Sequence, residues 1–153
     1  MTTISTNLQA VRARIAAAAQ LAGRAVEDIR LLAVSKTFPP ERIREAAQAS
    51  QIAFGENYLQ ESLGKIAALA DLGLEWHFIG PLQSNKTRPV AEHFAWVHGI
   101  ERLKIAERLS AARGAARPPL QVCIQVNVSG EASKSGVSPG ETAALAHAVA
   151  GLP

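Results

Sequence analysis

The sequence predicts an α/β fold of the (β/α)8 TIM-type barrel kind, and three observations carry that prediction. From residue 31 onward, apolar runs with strand character alternate with helix-like segments. The runs begin at 31, 51, 75, 95 and 120, so each strand-plus-helix unit takes 20 to 25 residues, the length of one barrel unit. Each run also ends in polar residues, at the end of the strand where parallel α/β folds gather their ligands.

Before the first run, Leu8, Val11, Ile15, Ala18 and Ala22 recur at steps of three and four, which predicts an amphipathic helix ending near Gly23. The strands are then expected at 31–36 (LLAVSK), 51–55 (QIAFG), 75–80 (EWHFIG), 95–100 (AWVHGI) and 120–128 (LQVCIQVNV). Crossover helices are expected near 40–50, 57–71, 84–94, 101–113 and 139–150. Pro39 and Pro40 suit a first helical turn, and Ser138-Pro139-Gly140-Glu141 has the form of a cap followed by proline.

The chain has 153 residues, 48% hydrophobic and 19% charged, enough to bury a core as one domain. Five units fall short of eight: three more need on the order of 70 further residues. Two readings follow, a smaller open doubly wound sheet or a single barrel domain over 1–153 that stops before its sixth strand. The first strand leads into no glycine-rich phosphate turn, which favours the barrel. Sixteen Lys and Arg against 13 Asp and Glu give +3 with the basic residues scattered, so nucleic acid is not an expected partner. No run approaches the ~20 apolar residues of a membrane span, and no signal peptide is evident. Cys123, the one cysteine, lies in an apolar run and reads as a small core residue in a reducing, cytoplasmic setting.

Among the strand-end groups, Lys36 stands out. Alternation puts it on one face with Leu32 and Val34. If that face is the barrel interior, desolvation lowers the lysine pKa and leaves a neutral amine, a nucleophile toward aldehydes. The competing reading is a lysine whose ammonium simply reaches solvent. His77 shares its face with Ile79 while Trp76 and Phe78 point the other way, and it reads as a satisfied core histidine without an assignable carboxylate partner. Glu56 reads as a carboxylate placed well for a helix dipole, with acid–base work as the other option. Lys134 lies in SGEASKSGVSPG, either a lid or anion-holding loop or a plain surface loop. His77, His93, His98 and His147 show no metal-ligand spacing, so no metal is expected.

Four phrases, AVSKTFP, FGENYLQE, WHFIGPLQSNK and NVSGEASKSG, occur in an order and spacing that resembles the YggS/PROSC family of pyridoxal phosphate homeostasis proteins. That family's domain is similar to the barrel of bacterial alanine racemase. The resemblance runs from about residue 4 to the end of the chain. It implies a barrel of fold type III carrying pyridoxal 5'-phosphate as an internal aldimine on Lys36, with Asn57 and Ile79 lining the cofactor and Val34 and His77 as further wall residues. It also implies buffering or delivery of the cofactor to apoenzymes without established turnover, by a protein expected to be monomeric at full length. The family's phosphate-binding turns and an arginine near the pyridine nitrogen have no counterpart in this sequence. Two rival readings stay open: a fold-type III racemase or decarboxylase using the same lysine, and a cofactor-free α/β binding module.

Overall fold

In the computed structural model, which describes residues 3–153, six α-helices and five strands alternate as the sequence predicts. The strands are β1 (Ala33–Val34), β2 (Ala53–Glu56), β3 (Glu75–Phe78), β4 (Trp96–Ile100) and β5 (Gln121–Ile124). Helix α1 (Ile4–Leu21) precedes them, and α2 (Pro40–Gln48), α3 (Leu59–Ala68), α4 (Thr87–His93), α5 (Leu103–Arg113) and α6 (Thr142–Ala150) follow each strand in turn.

Local sequence explains the ends of these elements. Thr3 caps α1 by accepting from the Thr6 amide at 3.1 Å, and Gly23 takes φ +64 just past the C-terminus, where a side chain would be strained. Pro39 sits at the N-cap of α2 and Pro40 occupies its first turn, a position whose amide has no helical partner to lose.

All pairings are parallel and the spatial order is β1-β2-β3-β4-β5, the order of the chain. A doubly wound sheet reverses direction at a switch point, whereas a barrel adds each strand beside the last. The observed order is therefore that of a barrel wall.

One face of the wall packs against the helices. Phe54, Trp76, Phe78, Val97 and Ile100 meet Ile43, Val90, Phe94, Ile105 and Leu109 in one buried cluster. Phe78 and Phe94 meet edge to face at 5.3 Å, and Phe54 lies 5.9 Å from Trp76. At roughly 1.5–3 kcal/mol for each large side chain buried, this layer is the principal source of stability. The opposite, inner face carries a register row of Val34, Gly55, His77, Trp96 and Gln121.

Several boundaries differ from expectation. β1 spans two residues instead of 31–36, because the Leu31 carbonyl accepts from Gln51 Nε2 at 2.9 Å and Thr37, at φ +67, turns the chain out of the sheet. β5 stops at Ile124, and past it a single bridge, Val126 to Val137, closes the neck of a loop. The segments 84–86 and 139–141 are 3-10 turns leading into α4 and α6, and α3 ends early in another, Ala70–Leu72.

Candidate functional site

The row of Val34, Gly55 and His77 fixes what stands one step further along, toward the C-terminal ends of the strands. Two residues on from each lie Lys36, Asn57 and Ile79, just past the C-terminal ends of β1, β2 and β3. The ladder continues past these ends, with Ser35 N donating to Gly55 O at 2.9 Å and Ile79 N to Glu56 O at 2.8 Å.

Lys36 corrects one expectation. Its side chain is exposed, and Val34 two residues before it is 50% exposed, so the amine is not held in a low-dielectric interior. The physical reason is topological: β1 is an edge of the five-stranded sheet and has a neighbour on one side alone.

The neighbouring strand ends are more enclosed. A Cβ built on Gly55 would lie 3.1 Å from Ile79 Cδ1 and 3.5 Å from Leu32 Cδ2. The missing side chain thus leaves a notch that Ile79 and Leu32 fill, forming an apolar patch over Gly55. Gly80 allows a still closer approach, since a Cβ there would be 2.8 Å from both the Cβ and the carbonyl oxygen of Asn57. Pressed against this bare backbone, Asn57 has a buried Oδ1 with no hydrogen-bond partner. A buried acceptor left unpaired costs about 1–3 kcal/mol, and it marks a position where a donor is wanted.

His77 is buried and fully engaged. Its Nε2 lies 2.7 Å from Glu75 Oε1 and its Nδ1 lies 2.9 Å from His98 Nε2, while Trp96 stacks on it with rings 3° from parallel. Arg30 pairs with the same Glu75 oxygen at 2.8 Å. Burial pushes both histidines below their ordinary pKa, more than the Glu75 carboxylate raises His77. Burial alone would push Glu75 up, but hydrogen bonds from His77 and Arg30 and their charges outweigh it and hold the carboxyl below its ordinary value. With the carboxylate accepting from His77 Nε2–H, the neutral His77 Nδ1 accepts from His98 Nε2–H, so His98 keeps a lone pair on Nδ1. The partner carboxylate was two residues away on the same strand face.

Glu56, read from the sequence as a helix-dipole carboxylate or an acid–base group, is instead half of a buried ion pair. It is fully buried on the helix-facing side of β2, accepting from Ser35 Oγ at 2.6 Å and pairing with Lys65 of α3 at 2.9 Å. Lys65, 4% exposed, also donates to Ser35 O at 2.9 Å and contacts Glu61, which accepts from the Thr37 amide at 2.7 Å. Sequence reasoning missed this cluster; an i, i+4 Glu61–Lys65 pair on α3 was its one visible signal.

The loop carrying Lys134 is ordered around Asn127, whose Nδ2 donates to the carbonyls of Glu131 and Lys134 and whose Oδ1 accepts from Gly130 N. Glu101 accepts from Gly136 N at 2.7 Å and ties the loop to the end of β4. Cys123 is a free, half-buried thiol on β5. Among the described residues, no group of three or more His, Cys, Asp or Glu side chains is arranged to hold a metal ion.

A parallel barrel wall with a lysine at the C-terminal end of its first strand defines a class, and comparison with known proteins agrees. The family described as "Alanine racemase, N-terminal domain" matches residues 6–153. Alanine racemase from Corynebacterium glutamicum superposes at a TM-score of 0.59 with 22% identity over 95% of this chain and 41% of that one, a likeness of fold. Nearer relatives narrow the assignment. A pyridoxal phosphate homeostasis protein of Pseudomonas aeruginosa is 64% identical over all of this chain and 66% of its own length, and that of Escherichia coli K12 is 57% identical over all of this chain and 67% of its own. PipY of Synechococcus elongatus, solved with PLP bound, is 37% identical at a TM-score of 0.75, covering 91% of this chain and 65% of that one. The chain belongs to the pyridoxal phosphate homeostasis protein family. It spans about two thirds of the length of these curated relatives.

Proposed function

We propose that residues 1–153 form the larger part of one barrel domain that binds pyridoxal 5'-phosphate as a Schiff base on Lys36, and that the whole protein buffers this cofactor and passes it to apoenzymes without turnover of its own. The observation that supports the reading is the unpartnered, buried Asn57 Oδ1 at the end of β2, with Lys36 and Ile79 following the ends of the neighbouring strands β1 and β3.

The residues fit such a ligand. Asn57 Oδ1 lacks a donor, which a hydroxyl or a protonated nitrogen on a pyridine ring supplies. Ile79 with Leu32 offers an apolar bed for a flat ring, and Val34 and His77 serve as further wall residues. The bound cofactor contributes an electrophilic aldehyde carbon. Lys36 would be the residue that holds the cofactor, supplying the amine for condensation with that aldehyde with loss of water. Sequestering the aldehyde in this way keeps it from other cellular amines. The relatives are named for pyridoxal phosphate homeostasis, which favours a carrier over a racemase or decarboxylase.

No helix among the described residues is long and apolar enough to cross a membrane. Residence in the cytoplasm and a monomeric state at full length belong to the same proposal, the first supported by the free thiol at Cys123. The test is direct: the full natural chain incubated with pyridoxal phosphate acquires a visible absorption band that borohydride discharges, and Lys36→Ala does not. A wild type without that band overturns the reading.

A further inference from the structure

Lys65 is a buried ammonium on the far side of the sheet from the inner face, and its contacts converge on one short stretch of chain. It donates to the Ser35 carbonyl at 2.9 Å and to both oxygens of Glu56 at 2.9 and 3.1 Å, and it contacts Glu61. Glu56 in turn accepts from Ser35 Oγ at 2.6 Å, and Glu61 accepts from the Thr37 amide at 2.7 Å. The residues held are therefore 35 and 37, on either side of Lys36.

An ion pair serving only to fasten α3 to the sheet needs Glu56 and nothing more. The additional bonds go to the backbone that aims Lys36. Ser35 is fixed through its amide, its hydroxyl and its carbonyl, the first by Gly55 O. Thr37 adopts φ +67, a region costly for a residue with a Cβ, and its amide there is claimed by Glu61. The side-chain hydrogen bond from Lys65, then the Thr37 amide, hold the Glu61 carboxyl below its ordinary pKa, so it accepts as the ionised form at neutral pH. Meanwhile Lys36 itself is exposed. Its orientation depends on its two flanking residues.

We propose that Lys65 and Glu61 are positioning residues for the Schiff-base lysine: through Glu56, Ser35 and Thr37 they fix the backbone on both sides of Lys36 and so set the direction from which its amine meets the aldehyde. This rests on the proposed binding of pyridoxal phosphate at Lys36. The two carboxylates and one ammonium are the support for a nucleophile on the opposite face of the sheet, not ligands of the cofactor.

Two variants of the full natural chain test it. Glu61→Ala removes the Thr37 tether and leaves the buried Lys65–Glu56 pair in place; the double change Lys65→Met with Glu56→Gln removes the cluster without stranding a buried charge. Each is titrated with pyridoxal phosphate and with pyridoxine phosphate, which has an alcohol in place of the aldehyde and cannot condense with an amine. The expected result is a loss of roughly tenfold in apparent affinity for the aldehyde with less than about a twofold change for the alcohol, since misaiming an attacking group by a fraction of an ångström costs reaction and not ring binding. Equal losses for both ligands mean a merely structural role and overturn the inference, as do unchanged affinities in both variants. A wild type that forms no Schiff base takes down this inference and the function it rests on; a wild type that does, beside variants that do so equally well, takes down this inference alone.

Discussion

Asn57 combines a buried, partnerless oxygen with a backbone so close to Gly80 that no Cβ fits between them. These two facts make opposite predictions for stability. Asn57→Ala removes an unpaired acceptor, so denaturant unfolding without ligand is expected to show no loss and a gain of up to about 1 kcal/mol, while affinity for pyridoxal phosphate falls. Gly80→Ala places a methyl 2.8 Å from Asn57 and is expected to lower the unfolding free energy by about 1–3 kcal/mol in the same measurement. Legibility at this scale was uneven. Strand alternation alone grouped Lys36 with Val34 and His77 with Ile79, but the resemblance was needed to single out Asn57, because an orphaned acceptor exists only once neighbours are in place. The partner of His77 was readable and was passed over: Glu75 lies two positions earlier, on the same face of the same strand.

Helix α3 and the ends of β1 and β2 form the unit in which a buried charge is used. Glu56 is fully buried and Lys65 nearly so, and removing one partner leaves the other charged and dry. Lys65→Met alone is expected to cost roughly 3–5 kcal/mol in chemical denaturation, and adding Glu56→Gln to recover much of that loss. Elements of this kind were located by the sequence to within a few residues, since apolar runs and proline starts mark them. Their ends were not, because the ends depend on distant partners. β1 is short because a side chain from residue 51 takes the carbonyl of Leu31 and because Thr37 turns left-handed. The buried cluster escaped notice for the same reason: Glu56 and Lys65 meet on the helix-facing side only when the wall has been assembled.

For the whole molecule, the spacing of units together with the lack of a glycine-rich turn after the first strand favoured a barrel wall over a doubly wound sheet, and the sequential order of five parallel strands bears this out. Dryness at Lys36 was not legible. It depends on what lies beyond the edge of β1, and in these five units that side is open. The network across β3 and β4 gives the fold a pH dependence of definite sign. His77 and His98 have folded pKa values below the ordinary value of about 6.5, so the unfolded chain takes up protons first as pH falls, and unfolding free energy should decline from about pH 6.5 downward. Glu75, also lowered, adds a further decline below about pH 4.3. Thermal unfolding from about pH 8 down to about pH 3 checks both windows, and His77→Gln with His98→Gln should flatten the upper one.

The central claim concerns a single amine, and peptide mapping addresses it most directly. The full natural chain is incubated with pyridoxal phosphate, reduced with borohydride, digested and analysed by mass spectrometry. The account predicts one dominant pyridoxyl adduct, on the peptide containing Lys36, lost in Lys36→Ala. An adduct dominant at another lysine such as Lys134, or none above that of an unrelated protein with exposed lysines, would contradict it.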